Sequence, residues 1–339
     1  MRRIRKDKTM ATAHSPHDTK TIAVIGGGAW GSAIASSLAK AGHITTVLTR
    51  RDDLAQALMA GRSPALGDLS ITPPSLASID AEQVVAGAEA VIMVVPVRAT
   101  ESSLSDLKPY LGADVPIAFA AKGFVPGADD LIPSIARGMI LSPLVMLSGP
   151  SFADEVAKGL PAALVSASDD PKAAKTIAAL FAQTSMRVYT SDDPIGVAVG
   201  GAVKNVIAIA SGITAGLGLG DNARAALLTR GLAEATRLAV AMGGRSETLF
   251  GLAGLGDMAL TCSGPHSRNF AFGLALGQGK APPGKLAEGQ YSSAVIARRA
   301  AALGVDMPIT MAVDRVVSGK AELAAEIKLL LARPAAMEW

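Results

Sequence analysis

Four short polar clusters interrupt a chain of 339 residues that is 50% hydrophobic and only 18% charged. They are Lys122-Gly123, Gly149-Pro150-Ser151, Lys204-Asn205, and Gly256-Asp257 together with Ser267-Arg268-Asn269. Lys204 is the sharpest signal, because residues 197–219 are apolar enough to resemble a membrane span. Burying an ammonium is costly unless it is paired or has a task. Lys204-Asn205 therefore reads as a functional polar pair inside a buried helix rather than part of a span. No histidine lies in these clusters, so the usual acid–base residue is missing and Lys204 is the candidate for proton transfer. Desolvation and a cationic neighbour such as Lys122 or Arg268 would lower its pKa, and Asp257 would limit that lowering. Arg268, near a helix start, offers a fork of donors to an anion, with Ser267 and Asn269 as neutral donors. The plain alternatives are a helix-capping Asp257, an ordinary helix-start Arg268 and a solvated Glu288. Metal chemistry is not expected: Cys262 and His266 are too few ligands, and the four histidines are scattered. There is also no G-x-S-x-G elbow for a serine hydrolase.

These side chains need a frame, and the frame starts at residues 21–31, T-I-A-V-I-G-G-G-A-W-G. Thr21–Ile25 has the β-branched composition of a buried strand. Gly26-x-Gly28-x-x-Gly31 follows, then an alanine-rich helix over residues 32–41 closed by Gly42. Gly26 permits a tight turn, Gly28 lets a pyrophosphate approach the backbone, and Gly31 lets the helix pack close to the strand. The pyrophosphate then rests on free N–H groups at the helix N-terminus. About twenty residues past the first glycine, an NAD site usually carries a carboxylate. Here Arg50 and Arg51 stand instead, which suits a 2′-phosphate; the alternative is a solvated charge pair ahead of Asp52 and Asp53.

Further strands are expected at 45–48, 90–95, 117–121, 145–148, 163–166 and 187–190, with helices at 81–86 and 172–183 and a loop over 63–78. Lys122 follows the 117–121 strand, and ligands gather outside the carboxyl ends of such strands. After Asp192-Asp193-Pro194 strand signals vanish. Helices are expected at 195–214, 222–241, 267–276, 292–303, 309–317 and 321–332, with Pro194 suited to the first turn. The expected division is a basic disordered tail at 1–20, a Rossmann-type α/β domain at 21–193 and an all-helical domain at 194–332.

Residues 1–20 hold six Lys or Arg against Asp7 and Asp18, a net of +4 in a chain of +3, so the remainder carries about −1. A near-neutral body lacks a nucleic-acid footprint. The tail has no apolar core of a secretory signal, and Met10 is an alternative start. Cys262 is the single cysteine, which precludes an intrachain disulfide and fits a reducing compartment. It reads as a small buried apolar residue rather than a nucleophile.

The chain resembles the bacterial NAD(P)-dependent glycerol-3-phosphate dehydrogenase family. Matching stretches are 26–31 (G-G-G-A-W-G), 121–123 (A-K-G), 149–156 (G-P-S-F-A-D-E-V) and 203–207 (V-K-N-V-I). They continue with 220–232 (G-D-N-A-R-A-A-L-L-T-R-G-L), 251–262 (G-L-A-G-L-G-D-M-A-L-T-C), 267–269 (S-R-N) and Glu288-Gly289. The resemblance implies that NADPH or NADH lies on Gly26, Gly28, Ala29, Trp30 and Gly31, with Arg50 and Arg51 lining the same site. It implies that Lys122 touches cofactor and substrate, that Gly149 and Ser151 hold substrate, and that Ala153 meets the cofactor. Lys204 would be the proton-transfer residue at the substrate. Asp257, Ser267, Arg268 and Asn269 would bind glycerol 3-phosphate, Arg268 also reaching the cofactor. Leu286 and Glu288 would close over the nicotinamide side. A cytoplasmic enzyme serving phospholipid synthesis, with a homodimer through the helical domain, is the further implication. Ala29 stands where the family often has Ser, and residues 63–68 lack the family's usual Tyr-Leu-Pro.

The rival readings are another two-domain hydroxy-acid or ketopantoate-type dehydrogenase, and a non-catalytic dinucleotide sensor with no need of Lys204 and Asp257 in a cleft. For the cofactor, replacing Arg50 and Arg51 together with Ala is expected to raise the KM for NADPH much more than that for NADH. Equal effects in steady-state assays with the two cofactors would show that these side chains do not read the 2′-phosphate.

Overall fold

The computed structural model describes residues 18–284 and 287–332. Leu286 and the expected tail up to residue 17 lie outside them. The first winding comprises β1 (Thr21–Ile25), α1 (Ala29–Lys40), β2 (Ile44–Leu48), α2 (Asp52–Met59), β3 (Leu76–Ser78), α3 (Ala81–Val85), β4 (Ala90–Met93), α4 (Thr100–Leu107) and β5 (Ile117–Phe119). A small hairpin, β6 (Phe124–Val125) and β7 (Asp130–Leu131), and α5 (Ile132–Arg137) lead to β8 (Leu144–Ser148). Then come α6 (Ala153–Ala157), β9 (Ala162–Ala167), α7 (Pro171–Ala179) and β10 (Met186–Ser191). The rest is helical: α8 (Pro194–Gly216), α9 (Gly220–Ala241), α10 (Ser246–Leu249), a π-helical turn (Leu252–Gly256), α11 (Asp257–Cys262), α12 (Arg268–Gly277), α13 (Glu288–Ala302), α14 (Pro308–Val317) and α15 (Leu323–Leu331).

The eight-stranded sheet runs β10-β9-β8-β5-β4-β1-β2-β3. Its neighbours are parallel except β8 and β9. Strand order reverses between β1 and β4, the switch point at which doubly wound sheets bind ligands. Ile25 pairs with Leu48 and Met93, so three strands end level beneath the glycine loop. Alternate residues divide the core. Ala23 and Ile25 of β1 face one buried cluster, which continues into α8; Ile22 and Val24 face the other, which includes Ile34 and Leu38 of α1. Burial on both faces is why these strands read as unbroken apolar runs.

Several boundaries differ from expectation. Helix α1 starts three residues early, since Gly28 already serves as its N-cap. Strands β4 and β5 stop at Met93 and Phe119, short of the expected 95 and 121, with one more bond each beyond the strand, from the Val94 N–H to Ile25 and from the Ala120 N–H to Met93. Strand β3 lies inside the expected 63–78 loop, and α13 begins at Glu288 rather than 292. The hairpin and helices α2, α4, α5 and α6 are additional; they are short and carry little periodicity. Pro194 does occupy the first turn of α8, whose N-cap Asp193 accepts from the Gly196 N–H at 2.8 Å. This helix is long and apolar enough to cross a membrane, but 94% of its apolar window is buried in the fold. Burial pushes the Cys262 thiol up to about 12, which fits an inert apolar role.

Glycines let α8 and α12 touch backbone to backbone. A Cβ on Gly212 would lie 2.1 Å from the Phe270 carbonyl oxygen, and one on Gly273 would lie 2.0 Å from that of Ile209. Gly216 and Gly277 form a second such contact one turn on. Gly→Ala inside a helix ordinarily stabilises it by about 1 kcal/mol. Gly212→Ala is instead expected to cost about 1–3 kcal/mol, because overpacking drives the helices apart. Urea denaturation should show a lower midpoint at unchanged slope; a raised midpoint would show that the crossing yields without strain.

Candidate functional site

The glycine loop forms one wall. Gly26 has φ +118°, and a Cβ on Gly31 would lie 1.8 Å from the Gly26 carbonyl oxygen, so turn and helix must both be bare here. A Cβ on Gly28 would meet nothing within 4 Å, and the N-terminus of α1 has no side-chain cap. Open space above uncapped N–H groups fits a dinucleotide pyrophosphate. Ala29 and Trp30 form the first turn beside it, Trp30 half-buried. Arg50 and Arg51 are exposed just past β2, beside a Thr49 that a Cβ on Gly27 would strike. The Arg51 guanidinium forks onto Asp53, with Nε donating to Oδ1 at 2.9 Å.

The opposite wall is built on buried charge. Lys204 Nζ donates to Asp257 Oδ1 at 2.5 Å, and Lys122 Nζ donates to Asp257 Oδ2 at 2.6 Å. Lys122 also donates to the Gly149 carbonyl at 3.2 Å, which accepts the Ser151 hydroxyl at 3.0 Å. Four segments therefore converge: the end of β5, the end of β8, the middle of α8 and the start of α11. Gly149 has φ +150°, and a Cβ there would lie 2.5 Å from the Ala163 carbonyl oxygen. Only glycine lets this turn pass so close to β9. Asp257 follows the π-helical turn, a wide geometry often found at functional sites.

Electrostatics follow from this packing. Burial lowers the Lys204 pKa to about 8; Asp257 opposes the shift, and Lys122 adds to it. Burial alone would push the Asp257 carboxyl up, but the ammonium groups of Lys122 and Lys204 outweigh it and hold it below the usual range. One carboxylate shared by two lysines leaves one positive charge unneutralised in a nearly dry cleft. Such a place suits a proton donor and an oxygen gaining negative charge.

The neighbouring side chains divide into those with donors to spare and those already committed. Ser267 caps α12 by accepting the Phe270 N–H at 3.3 Å, so its own O–H remains to be donated. Arg268 is exposed at the first position of α12. Asn269 donates Nδ2 to Asn205 Oδ1 at 2.9 Å and accepts the Gly289 N–H at 2.9 Å. Its amide thus ties α8, α12 and the start of α13 together, keeping one N–H for any ligand. Glu288 is half-exposed at the start of α13, and Ala153 opens α6, which packs on α1. Leu286 falls outside the described residues. Among the described residues no group of three metal-ligating side chains is present.

Three residues were missed by the sequence reading. The His266 ring stacks on Phe152 at 4.0 Å between centroids, and its Nε2 lies 2.9 Å from Asp154 Oδ1. The only hint was position: Phe152 and Asp154 flank Ala153, and His266 precedes Ser267. Asn205 was noted only as a polar neighbour of Lys204, and its tie to Asn269 needs the helix crossing to be seen.

Comparison with known proteins agrees with this architecture. The models of the NAD-dependent glycerol-3-phosphate dehydrogenase N-terminus and C-terminus match residues 21–174 and 193–328. A glycerol-3-phosphate dehydrogenase [NAD(P)+] of Methylobacterium radiotolerans is 46% identical, the match covering 92% of this chain and 96% of that one. The crystal structure of glycerol-3-phosphate dehydrogenase from Coxiella burnetii is 36% identical, with a TM-score of 0.87 over 93% of this chain and 99% of that one. A ketopantoate reductase from Ralstonia eutropha shares the fold at a TM-score of 0.61 and 22% identity, covering 91% of this chain and 99% of that one. The chain belongs to the NAD-dependent glycerol-3-phosphate dehydrogenase family.

Removing the shared carboxylate tests the charge cluster. Asp257→Asn strands two buried ammonium groups, and breaking a buried pair costs about 3–5 kcal/mol. The loss, read from denaturant unfolding, should be largest at low pH and shrink as pH rises toward 8, because Lys204 of the variant, without Asp257 to oppose the lowering, sheds its proton below that pH. A loss independent of pH would show that Asp257 acts by packing alone.

Proposed function

We propose that this chain reversibly reduces dihydroxyacetone phosphate to sn-glycerol 3-phosphate with NADPH or NADH. The observation that carries the reading is Lys204, buried in α8 and sharing Asp257 with Lys122. The nicotinamide, when bound, supplies or takes the hydride. Gly26, Gly28, Ala29 and Gly31 receive its pyrophosphate at the N-terminus of α1, and Trp30 borders the same face. Arg50, exposed past β2 and without an ion pair among the described residues, would meet a 2′-phosphate. Ala153 and Glu288 border the cofactor from α6 and α13.

The substrate is a small dianion with a ketone at its centre. Arg268, the Ser267 hydroxyl and the N-terminal N–H groups of α12 offer its phosphate charge-assisted and neutral donors. Gly149 and Ser151 border the rest of it. Lys122 polarises the carbonyl oxygen, and Lys204 hydrogen-bonds it as the second cation. As negative charge gathers on that oxygen, Lys204 Nζ delivers its proton and becomes a neutral amine. Asp257 holds both lysines in place and keeps the neutral amine directed at the alcohol, ready to accept the proton back in oxidation. A non-catalytic sensor has no use for this arrangement. Cytoplasmic location and homodimerisation through the helical part rest on the family alone.

The pH dependence has a definite sign. Reduction needs protonated Lys204, so its kcat should be full below about pH 8 and fall above it. Oxidation of glycerol 3-phosphate needs the neutral amine and should rise through the same range. Lys204→Ala is expected to lower kcat by about a hundredfold or more, as for loss of a general acid or base. NADPH affinity by direct titration should hardly change. A variant with near-normal kcat would sink the assignment and leave Lys122 as the proton donor.

A further inference from the structure

The turn that delivers Ser267 and Arg268 is fastened to the opposite wall of the cleft by a side chain with no part in the chemistry. We propose that His266, held by Asp154 and Phe152, is a positioning residue that fixes Arg268 and Ser267 for the substrate phosphate. This rests on the reading of the site as a phosphate-bearing ketone site.

Three observations support it. Gly264-Pro265-His266-Ser267 is a tight turn, with the Ser267 N–H donating to the Gly264 carbonyl at 3.1 Å. Proline at its second position fixes φ, so the turn moves as one piece. Ser267, next in the chain, is the N-cap of α12, and Arg268 is the first residue of that helix. A displacement of His266 is therefore passed on within two residues to both phosphate donors.

The ring is held in two ways that together fix its plane. Stacking on Phe152 at an interplanar angle of 24° sets the tilt. The bond to Asp154 sets the rotation; a carboxylate only accepts, so Nε2 carries the proton. Asp154 is itself restrained, accepting Lys158 Nζ at 3.2 Å one turn along α6. Phe152 and Asp154 sit on the segment that bears Gly149 and Ser151. The clasp thus joins the two loops that would hold opposite ends of one small substrate.

Its strength also favours positioning over structure. His266 is half-exposed, and exposed pairs of this kind add little to global stability. Placement of a binding group matters more, since small misplacements carry large kinetic penalties.

The test compares His266→Ala with His266→Gln, whose side-chain N–H can still reach Asp154. His266→Ala should raise the KM for dihydroxyacetone phosphate about tenfold while kcat falls less than about threefold. His266→Gln should recover most of that KM. Hydrogen exchange of a peptide spanning 264–270 should be faster in His266→Ala and unchanged over α8, a readout that needs no turnover. A KM for His266→Ala within twofold of the parent, with unaltered exchange at 264–270, would overturn the proposal. So would a KM for His266→Gln as poor as that for Ala. Should the parent protein fail to reduce dihydroxyacetone phosphate, the functional reading falls, and the exchange measurement still decides whether His266 holds the turn.

Discussion

One buried carboxylate governs this structure. Asp257 receives Lys122 from the sheet and Lys204 from the helical part, and neither lysine has another acidic partner among the described residues. Burying two cations against one anion would be a poor way to stabilise a protein. It is a good way to make a lysine that gives up its proton near neutral pH, because burial and the second cation both favour the neutral amine. The cost falls on a segment braced from every side. A π-helical turn sets Asp257, the turn beside it at Gly149 admits only glycine, and glycine contacts with α12 lock the far half of the helix that carries Lys204.

Much of the frame was legible because its signals are local. Thr21–Ile25 with its three spaced glycines, and Pro194 opening a long apolar helix, carry their own geometry in a few residues. Lys204 stood out for a related reason: a lone cation in an apolar helix has no cheap explanation. What sequence could not supply was convergence. Lys122, Gly149, Lys204 and Asp257 are spread over more than a hundred residues, and their contacts depend on strand order and helix crossing. The π-helical turn was invisible because nothing in L-A-G-L-G distinguishes it from an α-helix until Gly254 is seen against the Leu249 backbone. Short helices such as α5 and α6 have too few residues to show a period.

The family assignment and the physical reading support each other without being interchangeable. A fold shared with a ketopantoate reductase at low identity identifies an architecture, and function lies in the site placed upon it. Asn269 illustrates the difference. Family resemblance marks it as a substrate ligand, while the structure shows most of its amide engaged in tying three helices together. The two roles are compatible through its second N–H and the remaining lone pair of its amide oxygen.

The antiparallel pairing of β8 with β9 has a consequence for where Lys204 ends up. Because β9 and β10 run against the other strands, β10 finishes at the amino edge of the sheet, on the side away from the glycine loop. Helix α8 therefore starts at the wrong end and must climb the height of the sheet. Ten residues separate Pro194 from Lys204, a rise of about 15 Å, which matches the roughly 17 Å length of a five-residue strand such as β8. The first half of α8 is in this sense a ruler whose length sets the depth of the ammonium. One residue more or less in it would rotate Lys204 by about 100° away from Asp257, so this stretch does not tolerate a change of length.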